Sequence, residues 1–101
     1  MELGRFIKVL NGKRYDTEKA TVLAHDCYWD GHNMERYGHN TWLLRTARGA
    51  YFTVTRSQWQ GEQDTLSPVS EAEARELYEG ALSEHEVDWQ AAFPNAVLEE
   101  A

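Results

Sequence analysis

The residues best equipped for chemistry lie close together in the chain: His25, Cys27, His32 and His39, with Asp26 and Asp30 beside them. Imidazole, thiolate and carboxylate are the donor types that zinc takes. The spacing is unsuited to a site. On a helix His25 and Cys27 project about 200° apart, and His32 and His39 supply no C-x-x-C or H-x3-H pair. The competing reading makes Cys27 a small buried hydrophobe and the histidines surface loop groups. We therefore expect no metal and no cofactor. Cys27 with a histidine is also the sole Cys/His option for nucleophilic catalysis, and a thiol on an apolar stripe keeps a high pKa and stays inert. The chain has no G-x-S-x-G, no glycine-rich phosphate loop and no H-E-x-x-H, the signatures of common enzyme sites. The expectation is a protein that is not an enzyme.

The elements that would carry these residues follow from periodicity. Arg5 to Leu10 is rich in β-formers, and Asn11-Gly12 follows directly. That pair suits a two-residue hairpin turn with positive φ at both positions. Lys13-Arg14-Tyr15 reads as the return strand. Asp16 or Thr17 caps an expected helix whose stripe is Ala20, Leu23, Ala24 and Cys27, ending near Tyr28. Residues 30–40 read as a polar loop. Thr41–Thr46 and Ala50–Ser57 read as strands joined by Ala47-Arg48-Gly49. Gln58–Asp64 reads as a loop, and Ser67-Pro68-Val69 as the approach to a helix. Ser70 and Glu73 form a capping box ahead of an apolar face of Ala74, Leu77, Tyr78, Ala81 and Leu82. Ser83 and Glu86 repeat the box, predicting a second helix to about Ala92, ended by Phe93-Pro94. The fold class expected is α+β: a small antiparallel β-sheet of two hairpins, with amphipathic helices packed on one face. One domain spans 1–94, and 95–101 is a frayed tail.

Composition sets the partner class. The chain of 101 residues holds one cysteine and no apolar run near the ~20 residues that span a bilayer. Its start lacks the cationic and apolar blocks of a signal peptide. No internal disulfide, no membrane and a cytoplasmic location are the expectations. The formal net charge is -7. Residues 1–60 carry nine Lys/Arg against six Asp/Glu, and residues 61–101 carry one against eleven. The acidic half repels nucleic acid and attracts a basic protein surface; the bland alternative is solubility. Tyr28, Trp29, Tyr37 and Trp59 fall at an expected helix end or in loops. There they serve either as interface anchors or as pins that fold loops onto the body. Stacking of nucleic-acid bases among Arg36, Arg45, Arg48 and Arg56 is chemically open, but the overall charge speaks against it.

The run Asn11–Ala20 (N-G-K-R-Y-D-T-E-K-A), with Thr41–Tyr51 and Leu66–Glu76, resembles a loose family of small uncharacterised proteins from phages and bacterial mobile elements. The pattern of that family is NGKxYDTExA, a hairpin, then PLSeeEA. The chain departs from it in residues 56–65 and at Pro68-Val69. The resemblance implies an inhibitor of host defence complexes, of the anti-CRISPR kind, in the host cytoplasm. The expected function is a non-enzymatic acidic binding protein that occupies a basic, nucleic-acid-binding surface of a host protein or ribonucleoprotein complex, without itself binding nucleic acid. Glu71, Glu73, Glu76, Glu79, Glu84, Glu86 and Asp88 would face the partner as a DNA mimic, anchored by Trp29, Tyr37 and Trp59. The alternatives are a small His-rich metal-binding enzyme or regulator using His25, His32 and His39, and a structural accessory subunit.

Overall fold

The computed structural model describes residues 3–26, 39–57 and 63–101. The chain opens with β1 (Ile7–Leu10) and β2 (Lys13–Asp16), an antiparallel ribbon turned at Asn11-Gly12. Both turn residues have positive φ, 53° and 74°, as this pair allows at low cost. A single 3-10 turn, Thr17–Lys19, leads into β3 (Ala20–His25). Then come β4 (His39–Thr46), β5 (Tyr51–Ser57), β6 (Thr65–Val69), α1 (Glu71–Glu79), β7 (Glu84–His85) and α2 (Trp89–Ala92).

The fold is α+β. Strands β6-β5-β4-β3-β7 form one antiparallel sheet, and β1-β2 a second of two strands. Period-two alternation sorts the side chains of the larger sheet. Trp42, Leu44, Phe52, Val54 and Leu66 pack with Tyr15 of the ribbon, flanked by Ala20 and Val22. Leu43 and Tyr51 pack instead with Leu23, Ala24, Ala74, Tyr78, Leu82, Ala92 and Phe93. The ribbon thus contributes to one core cluster, and α1 and α2 to the other. The helices are short, and the sheets supply most of the structure.

Three expectations need correction. Ala20–His25 is a strand, not the start of a helix. Its stripe at i, i+3, i+4 arises differently: the pairing with β4 shifts register between Val22 and Ala24. A bulge lets neighbouring residues share a face, and Leu23 and Ala24 both enter the cluster with α1, while Ala20 and Val22 join the other. Asp16 does act as a cap, accepting from the Glu18 amide at 3.0 Å, but it caps the 3-10 turn alone. Secondly, Ser83–Glu86 forms no capping box. Glu84 and His85 pair with β3, and Asp88 caps a one-turn helix by accepting from the Ala91 amide at 2.8 Å. Thirdly, Thr65–Val69 is a strand. Pro68 is tolerated because β6 is the edge of the sheet, where a missing N–H breaks no second ladder.

Candidate functional site

Two charged surfaces emerge from this frame. The first is acidic. Helix α1 forms where expected: Ser70 Oγ accepts from the Glu73 amide (3.1 Å) and Glu73 Oε1 accepts from the Ser70 amide (3.2 Å). Its underside buries Ala74 and Tyr78, so the carboxylates fall outward. Glu71, Glu73, Glu76, Glu79, Glu84, Glu86 and Asp88 are all exposed. They do not have equal duties. Glu73 closes the cap, Asp88 caps α2, Glu79 accepts from Trp89 Nε1 at 2.7 Å, and Glu86 accepts from His25 Nε2 at 2.9 Å. Glu71, Glu76 and Glu84 make no ion pair or side-chain hydrogen bond among the described residues.

Aromatic contacts stiffen the layer beneath. The His85 ring stacks on Tyr78 at 3.8 Å between centroids, and His85 Nε2 donates to the Tyr78 carbonyl at 2.7 Å. Tyr78 Oη donates to the Val87 carbonyl at 2.6 Å. Burial, followed by the Asp88 charge, raises the Tyr78 pKa. Arg75 lies over the Trp89 ring, 5.2 Å from its centroid.

The second surface is basic. A groove of about 640 Å³ is lined by Lys13, Arg14, Lys19 and Arg48, with Gly12, Tyr15, Asp16 and the turn from Thr46 to Ala50. The two hairpin turns build it. Gly49, at φ 91°, lets the chain turn from β4 to β5, and its amide donates to the Thr46 carbonyl at 2.9 Å. On the other wall, the Tyr15-Asp16-Thr17 run is structural. Thr17 Oγ1 accepts from the Phe6 amide (2.8 Å) and donates to the Gly4 carbonyl (2.9 Å). Asp16 is buried, with Oδ2 accepting from Arg5 at 3.3 Å. Burial works to raise its pKa, but the Glu18 amide, the Arg5 hydrogen bond and the charges of Arg5 and Lys19 outweigh it, so the pKa is lowered. Sequence reasoning did not gather these four cations. Lys13, Arg14 and Lys19 are near one another in the chain, but Arg48 is distant and joins them only because the ribbon and the β4–β5 turn line the same groove.

The remaining expected residues divide as follows. Trp29, Tyr37 and Trp59, with Cys27 and His32, lie outside the described residues, as does the side chain of His39. His25 is engaged by Glu86, and Asp26 accepts from the Thr41 amide (2.9 Å) and Asn40 Nδ2 (3.3 Å). Among the described residues no three His, Cys, Asp or Glu side chains gather as a metal centre. No helix among them is long and apolar enough to cross a membrane. Comparison with protein-family models, with curated proteins and with solved structures finds no match for this chain.

Proposed function

We propose that the chain is a non-enzymatic binding protein whose acidic layer docks on a basic, nucleic-acid-binding surface of another protein or ribonucleoprotein. In its narrower form the proposal is inhibition of a host defence complex, in the manner that the resemblance to phage and mobile-element proteins implies. One observation carries it: seven exposed carboxylates run from α1 through β7 to the cap of α2, and the apolar sides of the two helices are already spent on the core. Three of them, Glu71, Glu76 and Glu84, have no bonding duty among the described residues that would account for their charge. Such a surface is complementary to a phosphate-binding site, and complementarity of this kind chiefly raises association rate and specificity.

The narrower form is tested by plasmid transformation. Cells with active RNA-guided DNA interference are transformed with a targeted plasmid, with and without this chain. The proposal expects rescue of transformation, lost when Glu71→Gln, Glu76→Lys and Glu84→Lys are combined in a variant that melts like the parent. Rescue that survives the three changes would contradict it.

A further inference from the structure

Four of the ten Lys/Arg residues of this acidic chain line one groove between the two hairpin turns: Lys13, Arg14, Lys19 and Arg48. All four are exposed, and none pairs with a carboxylate among the described residues. The carboxylate that also lines the groove, Asp16, is buried and already occupied, with Oδ1 taken by the Glu18 amide and Oδ2 by Arg5. Its one negative charge acts on Arg5 and Lys19 together, so the groove keeps a net positive charge. Like charges held together repel one another and focus positive potential in the concavity between them. The volume, about 640 Å³, is that of a small-ligand site.

We propose that this groove binds a run of phosphate groups, as carried by an oligophosphate or by the backbone of a nucleic-acid strand. Arg14 and Arg48, one from each wall, supply planar forks that match phosphate oxygens, and Lys13 and Lys19 add point charges. The site goes beyond the acidic layer and uses none of its residues. It also runs against the expectation, drawn from net charge, that the chain avoids nucleic acid: local field, not net charge, decides what a groove attracts.

The test measures binding of inorganic tripolyphosphate and ATP by calorimetry, and of a labelled short oligothymidine by anisotropy, at low salt. The expected result is tripolyphosphate binding that weakens about tenfold or more in Arg14→Gln/Arg48→Gln, as loss of two phosphate contacts implies. At about 0.15 M salt, where charges more than ~8 Å away are largely screened, the α1 variant Arg75→Gln makes the same change in net charge as Arg14→Gln alone and should leave binding within about twofold. Should Arg14→Gln/Arg48→Gln melt below the parent, Lys13→Gln/Lys19→Gln takes its place. Oligothymidine that competes with tripolyphosphate, with a log–log salt slope of about -2 to -3, identifies a strand backbone as the ligand. Binding of tripolyphosphate or ATP without oligothymidine identifies an oligophosphate. Absence of binding by all three probes, or an equal loss in Arg75→Gln and Arg14→Gln, overturns the proposal and leaves the acidic-layer reading untouched.

Discussion

Arg45 and Tyr51 stand opposite each other across β4 and β5, and both reach the end of α2. Tyr51 Oη donates to the Ala92 carbonyl at 3.1 Å, and Arg45 Nη2 donates to the Ala91 carbonyl at 3.4 Å. A one-turn helix has little stability of its own, so these two donors, with Phe93 buried against Tyr51, hold the helix to the sheet. Tyr51→Phe keeps the ring and strands the Ala92 carbonyl. The expected cost is about 1–2 kcal/mol, read as a fall of several degrees in the thermal midpoint. An unchanged midpoint would mean that α2 docks without this bond.

The same hydroxyl gives an alkaline signature. Burial, and then the Glu71 charge, raises the Tyr51 pKa, and burial first raises that of Tyr78. For a group whose folded pKa is raised, the stabilisation is complete below the unfolded value of about 10 and is lost as pH climbs past it. Stability should therefore decline above about pH 10, and the double variant Tyr51→Phe/Tyr78→Phe should decline less steeply. Chemical denaturation at a series of alkaline pH values measures both slopes.

Asp16 gives the opposite, acid signature. Its folded pKa is lowered, so its contribution is present above the ordinary carboxylate value of about 3.9 and is lost as pH falls through the lower folded value. Asp16→Asn can still accept from the Glu18 amide but gives up the ion pair with Arg5. The variant should be less stable than the parent at neutral pH, and the gap should narrow as pH falls below about 4, where the unfolded chain takes up its proton, and close only once pH passes the lowered folded value. A gap that stays constant down to pH 3 would assign the loss to packing.

Leu23 separates the observed strand from the expected helix. It is fully buried at the bulge of β3, among Leu43, Tyr78 and Leu82. Leu23→Ala should cost about 2–5 kcal/mol. Hydrogen exchange should show β3 protected, because β4 pairs along its length and the Glu86 amide donates to the Leu23 carbonyl at 2.9 Å. Rapid exchange through β3 would contradict its place inside the sheet.

Local signals were legible where one residue type answers one local need. Asn11-Gly12 turned the ribbon, Gly49 closed the three-residue loop, and Ser70 with Glu73 started α1, each within a few residues of chain. Legibility failed where long-range pairing overrode a local pattern. Ala20–His25 carries an apolar run that periodicity cannot assign on its own; its bulge sets Leu23 and Ala24 in one core cluster while Ala20 joins the other, so the spacing of a helical stripe marks no single face. Glu84-His85 looks like a helix start until β3 offers it a partner. The acidic carboxylates were visible in the sequence as a charge asymmetry. Their division into capping, bonding and spare groups was not, because that depends on Trp89 and His25 arriving from elsewhere.

The division changes how the central claim must be tested. Reversing Glu73 or Glu79 would break the α1 cap or the Trp89 bond, and so confound binding with stability. Glu71, Glu76 and Glu84 avoid both. The decisive measurement immobilises the chain, passes nuclease-treated host lysate over it, and elutes with heparin, for the parent and for Glu71→Gln/Glu76→Lys/Glu84→Lys side by side. The account predicts that the parent retains a protein that heparin displaces and that rising salt weakens, while the folded variant retains none of it. Retention of the same protein by both chains, or by neither, would contradict an acidic docking face.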